Sequence, residues 1–204
     1  MNTTALKRFA QQARTILKDG VQARLTYWGF DNKGNITEEP IQVEGGVIFR
    51  GEGIDDPALF KKWTALKQAV KTYGIQHIAE EAAYTWFNRL MAIRILAKNG
   101  YIRPQLEFES ELVQTPLIVS NARRGQFLDL TADERKRLNE LLNDDSAETE
   151  QFTLLITAFC RTNRLLKNVF GRMDDYTELL LPNNILSGNG FIHLLYFTRH
   201  NFVS

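Results

Sequence analysis

The sequence predicts a mainly α protein: a helical bundle-like single domain carrying one small β-hairpin near residues 36–53. Three observations carry this. Apolar residues recur at steps of three and four through most of the chain. One stretch, 31–53, switches to glycine, polar and β-branched residues. No repeat, low-complexity tract or linker divides the 204 residues, enough for one domain with a substantial core.

The elements follow in order. Leu6, Phe9, Ala10, Ala13, Ile16 and Leu17 mark an amphipathic helix ending near Gly20, and Val21 to Phe30 either extends it or forms a short strand. IQVEGGVIFRG reads as a hairpin turning at Gly45-Gly46. Asp55-Asp56-Pro57 supplies an acidic cap and a first-turn proline for a helix from about Pro57 to Tyr73, with Phe60, Trp63, Leu66 and Val70 inward.

The strongest helix is EEAAYTWFNRLMAIRILAKNGY, Glu80 to Tyr101. Ala82, Trp86, Leu90, Ile93 and Ala97 form one stripe, and Ala83, Phe87, Met91 and Ile95 a second beside it. So wide an arc predicts packing on two sides, with Trp86, Phe87, Leu90 and Ile93 nearly fully buried near Trp63, Phe152 and Phe159. Asn99-Gly100 stops the helix. Beyond Arg103-Pro104, LEFESELV reads as extended and TPLIVS as a buried strand. Thr131-Ala132-Asp133-Glu134 is a capping box for a helix to about Leu142. Another helix runs from about Ala147 to Val169, and Asp174 or Asp175 caps a last short one through Leu180, before Pro182.

A net charge of +1 does not suit a dedicated nucleic-acid binder, and no run of ~18 apolar residues suggests a membrane span. Charge is nevertheless segregated: net +4 over residues 1–28 and −5 over 129–150. Without a hydrophobic signal core, and with Cys160 alone in an apolar run, a reducing cytoplasm is expected. His77, His193 and His200 have no ligand-like spacing, so no metal site is expected.

Tests for chemistry are mostly negative. No two prolines are adjacent, so a Pro-Pro-aromatic loop of the kind that holds a flipped base is absent. Phe49-Arg50-Gly51-Glu52-Gly53 fits a short glycine motif but is better explained as a turn leaving the hairpin. Glu134-Arg135-Lys136 matches a nuclease Glu-x-Lys by letter, yet its carboxylate belongs to the capping box. What remains is positive charge. Arg123 and Arg124 sit in Ser120–Gln126, read as a polar exposed loop, while Arg161, Arg164 and Lys167 share a helical face near Arg172. These five residues, Arg123, Arg124, Arg161, Arg164 and Lys167, are the candidates for DNA phosphate contact. Ion pairs with the acidic 129–150 stretch are the structural alternative.

Two long phrases, AYTWFNRLMAIRILAKNGYI and DDYTELLLPNNILS, with the opening MNTTALKRFAQQAR, resemble the amino-terminal region of the BREX (bacteriophage exclusion) adenine-specific DNA methyltransferases, the PglX-like family related to type IIG restriction-modification enzymes. The resemblance spans Met1 to about Leu195. It implies a parent that methylates adenine N6 with S-adenosylmethionine in phage defence, and a chain cut before the catalytic motifs. Residues 1–190 would be the helical amino-terminal domain, and 191–204, YFTRHNFVS included, an atypical tail from truncation or frameshift. The implied role is a scaffold against the remaining methyltransferase domains, with some duplex DNA backbone contact and possible meetings with other phage-defence components. Alone, the chain would bind no cofactor and be inactive. An apolar patch left exposed near Leu179 to Leu195 would favour that role over the alternative, an autonomous helical adaptor for a protein partner.

Overall fold

The computed structural model describes residues 3–126, 129–170 and 175–198. Helix α1, Thr3–Tyr27, passes straight through Gly20, where the sequence suggests a stop. The glycine has a packing reason instead. A Cβ there would lie 2.4 Å from Cβ of Pro182, so its absence lets the 182–184 segment press against the helix. Termination is left to Gly29, at φ 86°.

A three-stranded antiparallel sheet follows, β1 Ile41–Val43, β2 Gly46–Phe49 and β3 Glu52–Ile54, in that order. The expected hairpin is β1–β2, with Val43 opposite Gly46. The third strand arises because Arg50 and Gly51, at φ 52° and 78°, make a second two-residue turn pairing Phe49 with Glu52. Val47 and Phe49 face inward, whereas Ile41, Val43 and Ile48 face outward and are exposed.

Helix α2, Leu59–Tyr73, is preceded by Asp56, whose Oδ1 accepts the Ala58 N–H at 2.8 Å. Gly74, at φ 84°, turns the chain into α3, Ile75–Lys98. Helix α3 lies antiparallel to α1: Phe9 meets Phe87, while Arg14 and Lys18 both reach Glu80. Trp86, Leu90 and Ile93 are fully buried, and Trp63, Phe152 and Phe159 are buried as well. Phe87 departs from expectation. It is only partly buried, because α1 covers the second stripe incompletely.

The run read as a buried strand is a helix, α4, Leu117–Arg123. Six apolar-rich residues cannot by themselves decide between helix and strand. Here only Pro116 pairs, in a single bridge with Phe108, before the chain coils and buries Ile118, Val119 and Ala122. Ser120 to Arg123 therefore belong to this helix, with Ser120 buried, rather than to an exposed loop. Helix α5, Ala132–Leu141, opens on the expected capping box: Thr131 N–H donates to Glu134 Oε2 at 2.8 Å, and Glu134 N–H to Thr131 Oγ1 at 3.2 Å.

The long helix expected over 147–169 is two, α6 Glu148–Thr162 and α7 Arg164–Phe170. Asn163 breaks it, since its Oδ1 accepts the N–H groups of Leu165 and Leu166 at 3.0 and 3.2 Å and so caps a new helix. Asp175 caps a 3-10 turn, Tyr176–Leu180, ending before Pro182 as expected. Residues Phe191–Phe197 form α8, which buries Phe191, Ile192 and Leu195 in the same core as α1 and α3. The molecule is thus mainly α with one small antiparallel sheet. Among the described residues no helix is long and apolar enough to cross a membrane.

Candidate functional site: a buried polar clamp and two arginine groups

The distinctive chemistry of the interior is a clamp on the 3-10 turn. Three helices donate to it. From α1 and the turn that follows it, Arg24 Nε and Trp28 Nε1 both donate to the Leu179 carbonyl, at 3.0 and 2.8 Å. From α3, Trp86 Nε1 donates to the Thr177 carbonyl at 2.9 Å and Arg89 Nη1 to Thr177 Oγ1 at 3.1 Å. From α2, Lys62 Nζ meets Glu178 Oε2 at 2.6 Å. The third tryptophan, Trp63, donates to the Trp28 carbonyl at 3.0 Å and holds the first in place. Buried carbonyls need such partners, and here long side chains supply what regular secondary structure does not.

The charges of the clamp are out of water. Arg89 is 3% exposed and Glu178 7%. Burial lowers the Arg24 pKa to about 10 and raises that of Glu178, with Lys62 opposing the latter. Arg89 lies over the Trp86 ring and 3.7 Å from Asp175, yet its Nε has no hydrogen-bond partner, and neither has Glu178 Oε1. Burial also pushes the neighbouring Cys160 thiol to about 12, so it stays protonated and unreactive at neutral pH. The arrangement is built to hold a segment of chain in place.

Arg89 is legible in the sequence as more than a punctuating charge. It stands three residues after Trp86 and one before Leu90, inside the arc of the core stripe, where a cation must find a buried partner. The partner, Thr177, lies in the second family phrase; Asp174, its first residue, falls outside the described residues.

The five candidate cations divide into two groups. At the end of α4, Arg123 Nε donates to Gln151 at 3.0 Å and approaches Glu148 at 3.6 Å, while Arg124 pairs with Glu109. Arg161, at the far end of α6, pairs with Glu134 at 2.7 Å. From Gln151 to Arg161 is ten residues, about 15 Å along the helix, so the groups form no single patch. Arg164 and Lys167 lie a turn apart on α7, exposed and with no acidic partner among the described residues. Arg172 falls outside the described residues. Gly51 and Gly53 are exposed around the second hairpin turn, and Glu134 is occupied by its cap and Arg161.

The expected apolar patch at Leu179 to Leu195 is closed. Leu179, Leu180, Leu181, Ile185, Phe191, Ile192 and Leu195 are all buried. Exposed apolar side chains lie instead on the sheet, on α3 and at scattered positions elsewhere, among them Leu112, Val113, Val169 and Phe197.

No protein-family model matches the chain. It is 27% identical over 196 residues to the adenine-specific methyltransferase BrxX of Escherichia coli O9:H4 (strain HS), covering 91% of this chain and 16% of that protein. It is 28% identical over 207 residues to the adenine-specific methyltransferase PglX of Lacticaseibacillus casei (strain Zhang), covering 92% and 17%. The chain thus spans about a sixth of the length of the curated relatives it matches. Both family phrases, the α3 helix and the clamped turn it grips, are packed together in one core, and the chain is a homologue of the BREX adenine-specific methyltransferases.

Proposed function

We propose that this chain is a non-catalytic scaffold and DNA-contacting domain within an N6-adenine DNA methyltransferase of a phage-defence system. The observation that carries this reading is the match itself, which takes in nearly all of this chain but only about a sixth of each methyltransferase. The apolar patch that would favour this reading over an autonomous adaptor is closed, so the match alone carries it. In this reading S-adenosylmethionine and the target adenine are bound by other parts of such a protein. The duplex backbone is met weakly, chiefly through Arg164 and Lys167. Arg123, Arg124 and Arg161 contribute only by exchanging their acidic partners for phosphate.

The test uses the Escherichia coli relative with its matching 196 residues removed. That protein should fail to methylate adenine, and supplying the present chain as a separate polypeptide should restore N6-methyladenine. Full methylation by the shortened relative alone would refute the scaffold role.

A further inference from the structure

The second stripe of α3 is covered at one end and bare at the other. Ala83 is 4% exposed, Phe87 is half-buried between Phe9 and Phe191, Met91 is half-buried, and Ile95 is 54% exposed. Tyr84, 70% exposed, lies on the same side. At 100° per residue, Tyr84, Met91 and Ile95 fall within about 40° of arc and extend about 16 Å along the axis. An isolated exposed leucine needs no explanation, but an aligned row of large apolar side chains on a helix otherwise packed into the core does.

The flank of this row is basic. Glu80 and Lys98 stand about five full turns apart on one line of α3. Glu80 is already shared by Arg14 and Lys18 of α1. Lys7 lies on the face of α1 that carries Arg14 and Lys18, so it borders the bare half of the stripe. Lys7 and Lys98 are exposed and have no acidic partner among the described residues. Glu80 is thus engaged on this flank, and the other exposed acid beside the row, Glu81, lies on the opposite flank of α3, where it accepts from the Tyr176 hydroxyl.

We infer that the Tyr84–Met91–Ile95 face of α3 is a docking surface for an amphipathic helix from the remaining part of a BREX-type methyltransferase chain. Its apolar side lies along the row and its acidic flank meets Lys7 and Lys98. This deepens the scaffold reading and rests on it. The occupant is argued from two facts: more than four-fifths of each relative's length lies outside the match, and the flank bearing Lys7 and Lys98 carries positive charge with no acidic partner among the described residues. A helix in this groove would anchor at spacings of three and four, matching the row it covers.

The experiment titrates the present chain into the Escherichia coli relative lacking its matching 196 residues, by calorimetry, beside sedimentation velocity of the chain alone. Wild type should bind, and Ile95→Glu should weaken binding at least about tenfold, as placing a charge on an apolar anchor does. Tyr84→Glu serves as an independent second variant, both chains being checked for native circular dichroism. Ile41→Glu, on the exposed sheet face, should bind as wild type. Equal affinity of wild type and both α3 variants overturns the docking face while leaving the scaffold reading intact. No binding by wild type overturns it too, and restoration of methylation then reports separately on the scaffold. A self-dimer abolished by Ile95→Glu would assign the face to a second copy of this chain and overturn the inference.

Discussion

Replacing Trp86 with alanine tests the clamp and the core together. The side chain is fully buried, stacks under Arg89 and donates to the Thr177 carbonyl at 2.9 Å. Large-to-small truncation of a buried aromatic costs about 3–5 kcal/mol through forfeited transfer energy and the cavity left behind. A buried carbonyl deprived of its donor adds about 1–3 kcal/mol, and Arg89 does not replace the indole because it binds the Thr177 hydroxyl. The combined effect, roughly 4–8 kcal/mol, approaches a typical total stability of about 5–15 kcal/mol. Trp86→Phe separates the two contributions, keeping most of the ring and removing only the donor, and should cost about 1–3 kcal/mol. Urea unfolding followed by far-ultraviolet circular dichroism measures both without depending on the indole's fluorescence. A destabilisation below about 1.5 kcal/mol for the alanine variant would mean the core relaxes around the gap, against the rigid packing argued from it.

Further outcomes are expected. Duplex DNA binding should be weak and steeply salt-dependent, and Arg164→Ala with Lys167→Ala should reduce the logarithmic salt slope by about 0.9 for each phosphate no longer neutralised; an unchanged slope removes α7 from the interface. Arg123→Ala with Arg124→Ala should change affinity less, since both guanidiniums already face acids. Burial raises the Glu178 carboxyl pKa, so the folded chain holds that proton more tightly than the unfolded one. This favours folding below the ordinary glutamate range and fades as pH rises through the folded value, so the stability of wild type relative to Glu178→Gln should fall as the pH increases from about 4 to 7. A rising difference would show the Lys62 ion pair outweighing desolvation. Gly20→Ala should destabilise by about 1–3 kcal/mol, overpacking against Pro182 outweighing the better helix propensity of alanine; a stabilised variant would show that neighbour yielding freely.

How far the fold can be read from sequence depends on whether the deciding interaction is local. The capping box of α5, the turn at Gly45 and the buried side of α3 are set by residues within a few positions of one another, and all are legible. Gly20 misleads because its partner, Pro182, is far away in the chain, and the missing Cβ looks the same whether it ends a helix or admits a neighbour. The break at Asn163 is hidden although local, because the apolar period continues through it and only the side-chain cap interrupts the backbone. Helix α4 reads as a strand because its length and apolarity fit either state. Of the site, the arginines are visible as cations, and the acidic stretch expected to pair with them supplies Glu148 to Arg123 and Glu134 to Arg161; Glu109, the partner of Arg124, lies outside that stretch. The clamp has one legible half, a cation set in an apolar stripe, and one hidden half, the turn some ninety residues later that satisfies it.

The clamp also orders events in time. Its donors Trp28 and Arg24 stand 151 and 155 residues from their acceptor at Leu179, so neither is satisfied until that late segment has been made. Pairings of such long sequence separation carry the loop-closure cost that slows folding. Trp28, Trp63 and Trp86 share one core with residues 179–196, so without that segment part of their apolar surroundings would be uncovered. Until the segment is made, the same surface is the one from which misassembly would start.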